Sequence, residues 1–157
     1  MQTHLQNETE IGNGEPAMTI TGGCLCGAVR YEAAEELFSG HCFCDDCRRT
    51  SSTAHGSHMG VARAAFSVTG EVRFFDKPAD SGNIVSRGFC PTCGSPVYSL
   101  NSGFPDTVFL RASSLDDMAQ FHPQMSVYAS RAPAWDQPDG SLPQFAEMPS
   151  RVPEDMG

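Results

Sequence analysis

No stretch of this sequence approaches the ~18 consecutive apolar residues of a membrane-spanning helix, so no membrane association is expected. The chain opens MQTHLQNETEIGNGEP, polar and acidic, without the basic start and apolar stretch of a secretory signal; the expected location is cytoplasmic. Charge is scarce, at 18% of residues, and its balance is acidic, −9 with histidine neutral. An acidic molecule is poorly suited to tracking a phosphate backbone, which argues against nucleic acid as a partner. Part of the negative charge lies at the ends, at Glu8, Glu10, Glu15, Glu154 and Asp155, where acidic tails are ordinarily solvated. Long helical periodicity is also lacking.

What the chain does have is turn formers and cysteine. Fifteen glycines and eleven prolines separate short β-like runs at 18–21, 28–31, 66–68, 72–75, 84–89, 97–100, 107–110 and 125–128. This predicts a mainly β domain with little helix. Thr69-Gly70-Glu71 reads as a hairpin turn between two of these runs, and residues 101–105 as another. Single helical turns are expected at 45–49 and 114–118. From Pro133 the chain should form an irregular surface strap. The expected organisation is a tail over 1–17, one domain over 18–146 and a tail over 147–157, with an edge strand able to support a homodimer.

The seven cysteines fall into three clusters, spaced C-x-C (Cys24, Cys26), C-x-C-x-x-C (Cys42, Cys44, Cys47) and C-x-x-C (Cys90, Cys93). Reduced thiols clustered in this way suggest metal or redox chemistry more than disulfides. In extended chain, residues two apart point to one side, so Cys24 and Cys26 can converge on one ion. Cys90-Pro91-Thr92-Cys93-Gly94 is a zinc-knuckle sequence, in which Gly94 permits the close turn after the second thiolate. Cys24, Cys26, Cys90 and Cys93 together make a closed, all-thiolate structural zinc site. Such a site would offset the entropy of closing a long loop. Buried free thiols, or a disulfide within Cys90-x-x-Cys93, are the competing readings. A bridge within C-x-C is geometrically poor.

Cys42, Cys44 and Cys47 offer three ligands and leave a position open, which is the pattern of a catalytic zinc. Arg48 and Arg49 follow directly and could lower nearby thiol pKa values or hold a substrate carboxylate. Other arrangements stay open: His41 as a fourth ligand closing the site, a redox relay, or a trio without metal. His55 and His58 are acid–base candidates, or simply half-exposed strand residues.

The segments Gly22-Gly23-Cys24-Leu25-Cys26-Gly27-Ala28-Val29-Arg30-Tyr31, Cys42-Phe43-Cys44-Asp45-Asp46-Cys47-Arg48-Arg49 and Arg87-Gly88-Phe89-Cys90-Pro91-Thr92-Cys93-Gly94-Ser95 resemble the glutathione-dependent formaldehyde-activating enzyme family, which includes a centromere-associated relative. The resemblance continues through Ser114-Leu115-Asp116-Asp117 and Arg131-Ala132-Pro133-Ala134-Trp135 into Asp139-Gly140-Ser141-Leu142-Pro143-Gln144-Phe145. It implies a β-tent fold of antiparallel sheets around a structural zinc, with two zinc ions per chain. Cys24, Cys26, Cys90 and Cys93 would hold the structural ion, and Cys42, Cys44 and Cys47 the active-site ion. The implied activity is that of a carbon–sulfur lyase, an S-(hydroxymethyl)glutathione synthase joining glutathione and formaldehyde. Arg48, Arg49, Ser51 and Trp135 are the candidate substrate contacts. A non-catalytic zinc module for protein interaction, or a thiol and metal buffer, is the competing class. The chain departs from the family pattern at Ser52 (commonly glycine), Met125 (commonly histidine) and the extra Ala134.

Overall fold

The computed structural model describes residues 19–149. The expectations for the 1–17 tail and for residues past 149 lie outside this range. Among the described residues ten strands form two sheets. A three-stranded sheet contains β1 (Ile20–Gly23), β2 (Arg30–Ala33) and β5 (Phe66–Thr69) in that order. The larger sheet has seven strands. It comprises β3 (Glu36–Cys42), β4 (Gly56–Ala62), β6 (Arg73–Pro78), β7 (Ile84–Phe89), β8 (Pro96–Asn101), β9 (Thr107–Arg111) and β10 (Ser126–Val127). Its order is β10-β3-β4-β9-β8-β7-β6, antiparallel except for the β10–β3 pair. The fold is mainly β, as expected. Among the described residues no helix is long and apolar enough to cross a membrane.

The core forms where the inner faces of the two sheets meet. Ile20, Tyr31 and Ala33 from the small sheet pack with Met59, Val61, Tyr98, Val108 and Leu110 from the large one. Tyr31 and Phe66 bring β2 and β5 together with ring centroids 5.9 Å apart, and Phe66 also meets Tyr98 across the sheets at 4.9 Å. These contacts explain a correction. The runs at 66–68 and 72–75 do not form a hairpin with each other. β5 pairs with β2, while β6 pairs with β7, so the chain changes sheets at the intervening turn. Alternation put Phe66 and Val68 on a buried face, but only the tertiary partner decides which sheet holds it. The turn at 101–105 does join antiparallel neighbours, β8 and β9.

Among the described residues there is one α-helix, α1 (Asp45–Arg49), where a helical turn was expected. The other expected turn, at 114–118, is replaced by two 3-10 turns at Ala112–Ser114 and Met118–Gln120. Residues 133–149 run without a strand across the β10 edge and return backbone hydrogen bonds to it, Ser126 N to Pro143 O and Phe145 N to Ser126 O.

Candidate functional site

The quartet is built by two turns. β1 and β2 are joined through Cys24 and Cys26, and β7 and β8 through Cys90 and Cys93. The four sulfurs lie within 4.8 Å of one another, and all seven cysteines are free thiols. Cys26 Sγ is 3.7 Å from Cys24 Sγ and 3.8 Å from Cys90 Sγ. Four Zn–S bonds of 2.3 Å at tetrahedral angles would place sulfurs ~3.8 Å apart. Backbone amides also point at these atoms: Val29 N at 3.2 Å from Cys24 Sγ, Thr92 N at 3.3 Å and Cys93 N at 3.5 Å from Cys90 Sγ. Hydrogen bonds first from the Ser95 hydroxyl and then from amides bring the Cys93 thiol down to about 5. Gly94 sits at φ +80°, the left-handed conformation needed to close the knuckle after Cys93. The quartet can hold a metal ion, and its donor set suits zinc.

The trio sits on the opposite, outer face of the large sheet. Cys42 ends β3, Cys44 caps α1 by accepting from Cys47 N at 3.3 Å, and Cys47 lies on the helix. Their sulfurs also lie within 4.8 Å of one another. Without a metal the three thiols share little negative charge. Hydrogen bonds from Cys42 and Cys47 take Cys44 down to about 2. Cys42 is pushed up, first by its hydrogen bond to Cys44. Cys47 rises to about 12, because its bond to Cys44 and its burial outweigh the lowering by Cys42. A divalent cation at the centre reverses this, since coordinated thiols are deprotonated outright. The trio can therefore hold a metal ion, with only three protein sulfurs to do so.

The surroundings are half apolar and half cationic. Met125 and Val127 are buried against Cys42 and Cys47, with Phe38, Tyr128 and Phe145 packed alongside. Met125 thus belongs to the apolar cluster that includes Cys42 and Cys47, at a position where the resemblance expects histidine. On the other side, His58 Nε2 lies 3.5 Å from Cys47 Sγ. Burial, then the charges of Arg111 and Arg87, hold His58 down to about 3, so a neutral ring faces the sulfur. Arg111 is directly opposite His58 in the β4–β9 ladder. Its Nη2 donates to Thr50 Oγ1 at 2.7 Å, and Thr50 in turn donates to the Asp46 and Cys47 carbonyls. Lys77 Nζ pairs with Asp46 at 3.1 Å. The sheet thereby anchors both the end and the flank of α1. Gly56 makes the close approach feasible: a Cβ there would lie 2.8 Å from His58 Nε2 and 3.3 Å from Cys47 Cβ.

The remaining sequence candidates are scattered around this centre. His41 is on the other face of β3, its Nδ1 on Ser57 Oγ at 2.8 Å, and does not join the trio as a fourth ligand. His55 Nδ1 bonds Asp136 Oδ2 at 2.6 Å and ties the strap to the sheet. Arg48 pairs with Asp45 of its own helix at 3.4 Å, while Arg49 is exposed. The Ser51 hydroxyl donates to the Arg48 and Thr53 carbonyls. Trp135 is 73% exposed on the strap. Arg87, Arg111 and Tyr128 were not singled out in the sequence. The available signal was a charge closing the apolar run Thr107-Val108-Phe109-Leu110 and another inside the alternating 84–89 run.

A crystal structure of a Rhodobacter sphaeroides protein has a similar fold, with TM-score 0.50 and 22% identity, covering 61% of this chain and 87% of that one. A Halomonas elongata protein that carries the provisional name glutathione-dependent formaldehyde-activating enzyme is 24% identical over 125 residues, 75% of this chain and 80% of its own length. The sequence profile described as glutathione-dependent formaldehyde-activating enzyme matches residues 19–131, which takes in both cysteine sets, and the chain belongs to that family.

Proposed function

We propose that this protein is a zinc-dependent carbon–sulfur lyase that adds a thiol such as glutathione to formaldehyde or another small aldehyde, and catalyses the reverse cleavage. The observation that carries this reading is the contrast in ligand number: four sulfurs converge at the quartet, three at the trio. In the forward direction a sulfur–carbon bond forms, the carbonyl π bond opens, and the thiol proton ends on the new hydroxyl. Zinc held by Cys42, Cys44 and Cys47 would supply a Lewis-acid position for the thiolate or the aldehyde oxygen. The chain's own part is mainly positioning. His58 orients Cys47 through the 3.5 Å contact, and Arg111 fixes α1 through Thr50. Met125, Val127 and Phe145 wall one side against water. Arg48, Arg49, Ser51 and Trp135 remain rim contacts for the outlying peptide of glutathione.

Two measurements on zinc-loaded protein test this. Calorimetric titration with glutathione should show binding that is lost in Cys44→Ser. Exchange between free formaldehyde and S-hydroxymethylglutathione, followed by NMR, should be faster with the protein than without it and return to the uncatalysed rate in the same variant. Unchanged binding in Cys44→Ser, or no acceleration by the native protein, overturns the reading and favours a binding or buffering module.

A further inference from the structure

The outer face of the large sheet carries cationic groups that the chain itself leaves without carboxylates. Arg30, Arg48, Arg73 and Arg131 each have an acidic partner, as does Lys77. Among the described residues Arg87 and Arg111 have none. Exposed Arg49 and Arg63 also lack one, but water solvates them; Arg111 is only 5% exposed and Arg87 is half-buried. Of the five N–H donors of Arg111, one goes to Thr50 Oγ1.

Ladder register places this pair beside the trio. Arg87 is opposite Ser99, Ser99 opposite Phe109, and Phe109 lies two residues before Arg111 on β9. Arg111 is opposite His58, two residues from Gly56, which faces Cys42. Side chains two apart, or directly paired, share a face, so Cys42, His58, Arg111 and Arg87 all project outward together. Each arginine's charge reaches both the other arginine and Cys47. A buried and a half-buried guanidinium on one face repel each other, a cost that an incoming anion relieves. Their planar forks also match a carboxylate geometrically.

We propose that Arg87 and Arg111 form an anion subsite that reads a carboxylate on the thiol held at Cys42, Cys44 and Cys47. Arg87 makes the contact, and Arg111, fixed by Thr50, backs it with charge. This rests on the trio being a thiol site and names the residues that select among thiols. Arg48 and Arg49, the sequence candidates, are less suited, since one is paired to Asp45 and the other is solvent-screened.

The test uses the full chain loaded with cobalt(II), titrated with mercaptoacetate, 2-mercaptoethanol and cysteamine while the thiolate–cobalt absorption band is followed. In the native protein mercaptoacetate should bind about tenfold tighter than 2-mercaptoethanol, with cysteamine weakest, and added salt should erode the difference. Arg87→Gln should reduce that ratio to about twofold or less, and Arg87→Lys should keep part of it. Equal affinities in the native protein would overturn the subsite. So would an Arg87→Gln variant that weakens all three thiols alike, the result expected if the arginines merely balance the sulfurs. Both of these leave the thiol reading standing. If none of the three thiols moves the band, the thiol reading itself fails and the subsite with it.

Discussion

Quartet and trio use the same donor atom but are embedded differently. Cys26 and Cys90 touch across 64 residues of sequence, and their site joins the small sheet to the β7–β8 turn. The trio comes from six consecutive positions, one strand end and one helical turn, so a metal there closes no long loop. Backbone amides point at sulfurs of both sites, but the trio also has a histidine 3.5 Å from Cys47 Sγ and a methionine packed in its cluster, with Arg87 and Arg111 on the same sheet face. Four ligands spanning distant segments fit a structural site; three local ligands in a mixed apolar and cationic setting fit a site that accepts something further.

The largest effect should come from setting the two sites against each other. Cys90→Ser, at a residue with 0% exposure, should lose one metal equivalent and several kcal/mol of stability. Cys44→Ser should also lose one equivalent but cost only about 1 kcal/mol, because the loop it closes is short. Thermal unfolding and metal content per chain measure both. Equal destabilisation by the two variants would break the comparison.

A smaller change probes the trio alone. The Cβ of Gly56→Ala would meet His58 Nε2 and Cys47 Cβ, so either the ring or the helix must move. Disturbing groups that orient ligands commonly costs about tenfold or more in metal affinity. The variant should therefore yield its trio metal to a weaker chelator than the native protein does, with quartet retention unchanged. Loss from both sites together would mean that they are mechanically one unit.

The sequence disclosed the ligands more fully than the scaffold that carries them. Local cysteine spacing marked three clusters, and ligand number joined the first and third into a quartet; the structure brings together the same two sets. Alternation located most strands, yet β3 and β4, the two that carry Cys42 and His58, were not legible. β3 contains Gly40 and His41, and β4 has two glycines and a histidine within seven residues, so neither shows a clean period of two. What makes them strands is their central place in the large sheet, with β3 and β4 paired to each other and to β10 and β9. Arg87 and Arg111 stayed hidden for a related reason: lone arginines in strand runs acquire meaning only when ladder register places them on the face that holds the sulfurs.

The smallest expected effect bears on whether the trio's loop is independent of its metal. Ser52 has φ +68°, a left-handed conformation that costs a residue with a Cβ about 1 kcal/mol and glycine almost nothing. Its side chain is exposed. Ser52→Gly removes the steric cost but adds freedom to the unfolded chain, worth about 0.5 kcal/mol in the opposite sense. The net expectation is a gain of about 0.5 kcal/mol, read as a rise of a degree or two in the unfolding midpoint. Metal retention should not change, because Thr50 and Ser51 already fix the chain on the helix side of this residue through Asp46, Cys47 and Arg48 carbonyls. If Ser52→Gly altered release of the trio metal, the strain at this turn would be transmitted to Cys47. The trio would then be tuned by its loop, whereas the quartet is held by the amides of its own turns.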